Sequence, residues 1–536
     1  MAAGMLLLYT GYLKNGFLEF SDAAKYADIS KNLVQGKGFG INFTFWNPEV
    51  FNKIKETVFP AYFYPPLLPL SFASFFILFG ISDASVFITS AIFYILLVLF
   101  SYILAKRVFG KELISVLSAL AIAANISVLD YASSGASEIL FMLEIVLALL
   151  LFSLKKKWGV ASGVLLLIAM YFTRPQSFIF ILGVILFWLL LHFKSKRAFI
   201  YFLGVIILGI IIDRTILVAL SGKYFLYSIT SRGLNSFSNI GLAQSPSDML
   251  RGGVTSGLNL MELGKKTFYN LYNFYRLLPQ IASPYMWGLF VIGLFVWTKD
   301  RLQNSLKIAT VFMVVLTFLV TALTIPFFRY LHPVVPLVYL FAVSTLVWIV
   351  ETVVGVQWSV FAGWLKNRSP FTVHRSQAIT FIATLLIIFF VVGQTLGVIF
   401  LDSRFEAKRV NKGQTPVYVR LSWLLRNITE PDDVIVTNLD TWGSWYGERK
   451  TVWFPLEPGQ LEGLEEQIDA IYLTSYLMDD ENYYMGEEWR DILYNPETHG
   501  NEFIAENYEL KAVYEISASE TYEKQEARGV LFIRKN

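Results

Sequence analysis

Cysteine is absent from the 536 residues, and only four residues are histidine. The first absence excludes disulfide frameworks, cysteine zinc sites, thiol nucleophiles and iron–sulfur clusters, and it removes any clue to the redox state of the compartment. The second makes a histidine-rich metal site a poor fit. Charge is scarce as well: 16% of residues are charged, against about 25% in an ordinary soluble domain. What is plentiful is apolar, with 55% hydrophobic and 16% aromatic residues. That is too apolar for a cytosolic protein. The net charge of +3, from 44 basic and 41 acidic residues, lacks the basic excess of a nucleic-acid binder. It also conceals two regions, because 14 of the 44 basic and 26 of the 41 acidic residues fall in 401–536, leaving 30 and 15 before them. No internal repeat or low-complexity tract stands out.

A membrane-spanning helix needs about 20 mainly apolar residues to cross about 30 Å of hydrocarbon. Runs of this kind, flanked by charge, occupy 84–105, 113–129, 139–154, 158–172, 177–193, 199–220, 284–297, 306–325, 334–354 and 379–400. The opening stretch 1–13 is apolar, but at 1.5 Å per residue it covers only about 20 Å. It is read as a first helix whose N-terminal part precedes this sequence, with an interfacial helix as the alternative. A signal peptide fits less well, since no basic n-region precedes the run and no small-residue cleavage site follows it. The segment 65–80 opens with Pro65-Pro66 and is short, which suits an interfacial or re-entrant helix. The expected fold is therefore mainly α: a polytopic bundle of about eleven spans.

Orientation follows from lysine and arginine in the short loops. With the N-terminus inside, the alternate loops on that side carry Lys106, Arg107 and Lys111; Lys155, Lys156 and Lys157; Lys194, Lys196 and Arg197; Lys299, Arg301 and Lys307; and Lys366, Arg368 and Arg375. Against these fifteen stand Arg174 and Arg329 in the short loops opposite. The expected protein is a multi-pass plasma-membrane protein with a cytoplasmic N-terminus. A first loop at 20–65, a second long loop at 221–283 and everything after 400 then lie outside. Residues 1–400 form the membrane domain. From 401 the character changes to polar sequence of mixed period: an amphipathic helix at 417–428, buried strands at 433–437 and 470–473, and further strands at 511–516 and 529–534. This reads as a small extracytoplasmic α/β domain.

Ionisable groups in or beside membrane segments are costly and so are functional candidates. The outer helix ends collect Asp22, Glu138, Arg174, Arg329 and His332 from four separate loops on one face. A carboxylate with cations nearby can move a group from a phosphate leaving group to a hydroxyl, one base taking the proton and the positive charges receiving the phosphate. The bland alternative is a set of interfacial anchors and caps, with Asp22 as N-cap of a helix at 23–34. Glu144 reads as a satisfied buried carboxyl, and Asp213 with Arg214 as a structural pair. The aromatics of the second long loop, among them Tyr224, Tyr227, Tyr269, Tyr272 and Tyr275, read mostly as interface anchors. A sugar-stacking role for one or two of them with Arg232 or Arg276 is a narrower expectation. The sequons at Asn42, Asn125 and Asn427 are expected by chance in a chain of this length.

The stretch Ser21-Asp22-Ala23-Ala24-Lys25-Tyr26, running on to Gly36-Lys37-Gly38-Phe39, resembles the first outer loop of the GT-C superfamily of membrane glycosyltransferases, which commonly reads Asp-Glu, then Tyr, then Gly-x-Gly-Phe. Further motifs follow in a similar order: Tyr64-Pro65-Pro66-Leu67, Phe79-Gly80, Ser137-Glu138, Thr173-Arg174-Pro175 and Arg329-Tyr330-Leu331-His332-Pro333. The segments 430–436 and 446–452 resemble the outer C-terminal domain of bacterial members. The similarity is closest to the protein O-mannosyltransferase and lipid A aminoarabinose-transferase branch.

The resemblance implies an inverting glycosyltransferase that uses a polyprenyl-phosphate-linked sugar as co-substrate and a lipid, glycan or protein acceptor outside the membrane. It implies Asp22 as the catalytic aspartate and Glu138 as an acidic residue shaping the site. Arg174, Arg329 and His332 are inferred as donor-phosphate contacts, for which a bidentate arginine is well suited. Tyr26, Tyr64 and Arg232 are candidate acceptor or sugar contacts. Asp22 and Glu138 are the candidate ligands if a divalent metal ion takes part. One departure matters: Ala23 stands where many relatives have glutamate, which weakens a first-loop metal site. Two other classes stay open, a transporter or flippase of a lipid-linked sugar and an inactive relative serving assembly. A transporter would more readily show related halves and paired broken helices at the midplane.

Overall fold

The structure, a computed structural model, describes residues 1–45, 58–61, 64–154, 156–212, 260–324, 326–364, 371–480 and 484–535. Two compact units divide the chain. One comprises Met1–Tyr9, Ser90–Tyr227 and Thr267–Asp402; the other comprises Thr10–Thr89, Ser228–Lys266 and Ser403–Asn536.

The first unit is helical. Among the described residues four helices are long and apolar enough to cross a membrane: Asp83–Phe109, Arg301–Leu323, Phe328–Val354 and Ser376–Leu401. Two bent pairs raise the number to six if each is one span: Glu112–Ala123 with Ile126–Ala132, bent by 62°, and Leu260–Ile281 with Pro284–Leu294, bent by 110°. Each break has a local cause. At the first, the Asn125 side chain accepts the Val128 N–H at 2.9 Å and so starts a new helix. Its amide also donates to the Tyr339 hydroxyl at 2.9 Å. At the second, Pro284 occupies the first turn of the new helix, where its missing N–H costs nothing. The apolar windows at 158–172 and 177–193 become the helices Lys157–Tyr171 and Ser177–His192.

Burial separates the interior helices from the outer ones. Ser137–Ser153 has all but two of its 17 residues buried, as expected of a helix apolar all round that is packed inside. The apolar window of Phe328–Val354 is 83% buried, whereas that of Ser376–Leu401 is 22% buried and turns its apolar side chains outward. Such a surface is stable in lipid rather than in water. Close approach depends on small residues. A Cβ at Gly183 would run into the Met313 side chain, and one at Gly293 into Thr345 Oγ1.

The second unit contains a mixed sheet. Its strands are β1 (Gly40–Ile41), β2 (Phe43–Phe45), β3 (Phe59–Pro60), β4 (Val434–Thr437), β5 (Lys450–Trp453), β6 (Ala470–Thr474), β7 (Tyr508–Ile516) and β8 (Ala527–Arg534). β1 and β3 pair antiparallel. The other six form one sheet in the order β2-β5-β4-β6-β8-β7, parallel from β2 to β6 and antiparallel from there on. β4 and β6 are buried at every position, so they read as unbroken apolar runs rather than alternating ones. The helix expected over 417–428 is Val417–Ile428, and β4, β6, β7 and β8 fall on the expected strands. β2 (Phe-Thr-Phe) and β5 (Lys-Thr-Val-Trp) carry no comparable run of aliphatic residues.

Early and late segments of this unit are stitched together by the helix Thr441–Trp445 and the tyrosine after it. Trp442 Nε1 donates to the Leu18 carbonyl at 3.1 Å, and the Leu18 N–H donates to the Tyr446 hydroxyl at 2.7 Å. Trp445 Nε1 and the Tyr446 hydroxyl donate to the two oxygens of Asp83 at 2.8 and 2.9 Å. The buried Asp28 accepts from the backbone and side-chain amides of Asn42 at 2.6 and 2.9 Å. Burial pushes its carboxyl above the usual range, while Lys31 and the Asn42 amides pull it back.

Candidate functional site

In the helical unit the candidates from three loops meet. Arg174 lies between the helices Lys157–Tyr171 and Ser177–His192, where Pro175 prevents the first helix from running on. Its guanidinium is buried. Nη1 stands 2.6 Å from Glu138 Oε1 and donates to Ser137 Oγ at 3.0 Å. Both partners sit in the first turn of Ser137–Ser153, where the helix dipole favours a carboxylate. The 3-10 helix Phe328–Val334, shaped by Pro333 inside it, presents Arg329, Tyr330 and His332. The Tyr330 ring lies 5.4 Å from the Arg174 guanidinium and 5.6 Å from that of Arg329, so one aromatic ring serves two like charges.

His332 is buried, with Nδ1 3.0 Å from the Tyr131 hydroxyl and 3.2 Å from the Arg329 carbonyl. Deeper in the same unit, Thr173 Oγ1 donates to Glu144 Oε1 at 2.7 Å. Glu144 is thus hydrogen-bonded to the residue beside Arg174. Among the described residues the buried Arg174 Nε finds no partner, although a buried guanidinium N–H is costly to leave unpaired. The cluster can hold an anion.

In the second unit Asp22 lies in the first turn of the helix Ser21–Val34, whose N-cap position is Phe20. The helix begins earlier than the 23–34 expected, so Asp22 favours it through the dipole and not as its cap. One turn on, Lys25 Nζ stands 3.6 Å from Asp22 Oδ1 and 3.3 Å from Asp440 Oδ1. The Asp22 side chain is 34% exposed against 1% for Asp440, so Asp22 is the carboxylate a substrate can reach. Tyr26 and Tyr64 meet edge to face, with ring centroids 6.2 Å apart. Arg232, Tyr224, Tyr227, Asp213 and Arg214 lie outside the described residues.

Sequence reasoning missed Tyr131 and Asp440 and gave Lys25 no role. Tyr131 is one aromatic among many in an apolar stretch. Asp440 is 415 residues from Lys25, and no local pattern announces such a pair.

The sequence model of the family described as dolichyl-phosphate-mannose-protein mannosyltransferase matches residues 64–216. This part of the chain is similar to that family of membrane glycosyltransferases. The match contains Tyr64, Glu138 and Arg174, and it ends before Arg329 and His332. No curated protein matches the chain. Among solved structures, ArnT from Cupriavidus metallidurans with undecaprenyl phosphate bound is similar at 12% identity and a TM-score of 0.49, over 99% of this chain and 96% of that one. Its apo form gives 0.48 at the same identity and coverage.

The carboxylates suit a divalent cation poorly. Glu138 is engaged by a guanidinium and Asp22 stands beside an ammonium, and both neighbours repel a metal ion. Among the described residues no three histidine, aspartate or glutamate side chains converge as a metal site.

Proposed function

We propose that this chain is an inverting glycosyltransferase that moves a sugar from a polyprenyl-phosphate carrier to an acceptor hydroxyl, or similar nucleophile, on the outer face of the membrane. The observation that carries this reading is the buried Arg174, paired with Glu138 through one nitrogen and holding an unpartnered Nε. The matched family takes its name from a sugar on a dolichyl phosphate, which supports a lipid-phosphate donor. The outward-facing apolar helices supply the surroundings for its tail.

In this reaction Asp22 takes the proton of the acceptor, whose oxygen attacks the anomeric carbon. The bond from that carbon to the phosphate oxygen breaks, and polyprenyl phosphate leaves with the electron pair. Arg174, Arg329 and His332 receive the negative charge on the phosphate. Glu138 holds Arg174 in place, and Tyr131 holds the His332 ring. Tyr26, Tyr64 and Arg232 are proposed contacts to sugar or acceptor. No step runs through a metal ion. The N-terminus is placed in the cytoplasm, with eleven spans and a C-terminal α/β domain outside.

The test is a purified-protein assay with synthetic polyprenyl-phosphate sugars and an envelope extract as acceptor, read as release of polyprenyl phosphate. Acceptor-dependent release with inverted product supports the proposal. Movement of intact donor across a vesicle membrane without release overturns it in favour of a flippase.

A further inference from the structure

Lys25 is almost buried and touches two carboxylates of very different exposure. Around its ammonium stand the rings of Phe43 at 5.3 Å, Phe45 at 5.6 Å and Trp453 at 6.0 Å. The parallel pairing of β2 with β5 builds this enclosure, setting Phe45 opposite Trp453. A caged ammonium with few rotamers open to it is a fixed charge, unlike an ordinary surface lysine.

Asp440 fixes the other side. Its backbone adopts φ 53° and ψ −148°, a region that almost only glycine occupies without strain. The carboxylate accepts the Thr441 N–H at 2.7 Å and its hydroxyl at 2.9 Å, and that hydroxyl also lies 3.2 Å from the Ser21 carbonyl. Residue 440 is therefore held in an unfavourable conformation with its carboxylate against Lys25, and it is tied to the residue just before Asp22. The same carboxylate is the N-cap of the helix Thr441–Trp445, so one aspartate starts the helix and holds the lysine.

We infer that Lys25 and Asp440 are positioning residues for Asp22: Asp440 anchors the caged Lys25, and Lys25 fixes the direction of the reactive Asp22 carboxylate. The inference rests on Asp22 acting as proposed above, and it makes the chain beyond residue 400 a contributor to the acceptor side of the reaction. Lys25 neutralises the buried Asp440, which needs a cation, and leaves the more exposed Asp22 oriented but able to take a proton. The pairing also gives the sheet a reason to incorporate β2 from the first loop, since that strand supplies two of the three cage rings.

The experiment compares kcat and KM of the purified full-length protein, with a synthetic polyprenyl-phosphate sugar, for wild type, Asp22→Asn, Lys25→Met, Lys25→Arg, Asp440→Asn and the double variant Asp22→Asn/Lys25→Met. Misdirecting a reacting group costs on the order of a hundredfold, so Lys25→Met should lose about that factor in kcat with donor KM unchanged. Lys25→Arg should recover most of it. In the Asp22→Asn background Lys25→Met should cause no further loss, because a positioning residue has nothing left to position. If Lys25→Met does not fold, Asp440→Asn carries the test, since it keeps the side-chain shape and an acceptor for Thr441. Undiminished kcat in folded Lys25→Met or Asp440→Asn, or a full additional loss in the double variant, overturns the inference while leaving Asp22 in its role. If wild type turns over and Asp22→Asn turns over equally, the reading of Asp22 fails instead.

Discussion

In the helical unit a guanidinium and a carboxylate meet at 2.6 Å inside apolar helices, whereas in the sheet-containing unit the Asp22 carboxylate stands 3.6 Å from a lysine that a second carboxylate holds more closely. The first arrangement commits the carboxylate: Glu138 neutralises Arg174 in surroundings where an unpaired charge would be very costly. The second leaves Asp22 more exposed and lets Asp440 carry the pairing. Two acids predicted as a set are thus in different situations. One is committed to a cation, and the other stays more open to its surroundings.

The largest effect should come from breaking the committed pair. Arg174→Met should lose at least a hundredfold in turnover, as for removal of an oxyanion donor, and also about 3–5 kcal/mol of stability from leaving Glu138 buried without its partner. Adding Glu138→Gln should restore the thermal midpoint without restoring turnover; a thermal-shift assay run beside the activity assay separates the two. Asp22→Asn should behave differently, losing on the order of a hundredfold or more in transfer, as for a missing general base, with an unchanged thermal midpoint. A smaller effect is expected at Tyr131→Phe, which removes one hydrogen-bond partner of His332; about 1 kcal/mol, or roughly fivefold in turnover, should appear with Asp22-dependent steps intact. The least perturbing test concerns orientation. Because the chain has no cysteine, a single cysteine at Ser403 should react with an impermeant reagent in intact cells and one at Lys156 should not. The reverse pattern would invert the proposed topology.

The same contrast explains what could be read from the residues alone. Arg174, Arg329 and Glu138 stand out because each interrupts an apolar run, and such charges are rare enough to notice. The helices were legible for the same reason, and β4 and β6 because a strand buried on both faces is an unbroken apolar word. The break at Asn125 was blurred by a window that averages over apolar residues on both sides, whereas the one at Pro284 coincides with the start of an expected run. Asp22 was visible through its motif, but its surroundings were not. Lys25, Asp440, Phe43, Phe45 and Trp453 come from three distant stretches of ordinary polar and aromatic sequence, brought together by a parallel strand pairing that no local periodicity encodes.

Donor binding and sugar transfer, measured separately on Arg174→Met and Asp22→Asn, test the central claim most directly. Equilibrium binding of a labelled polyprenyl phosphate followed by single-turnover transfer should show Asp22→Asn binding like wild type while transferring almost nothing, and Arg174→Met failing at binding. Transfer at the wild-type rate by Asp22→Asn, or wild-type carrier affinity in Arg174→Met, would contradict the division of labour proposed between the two clusters.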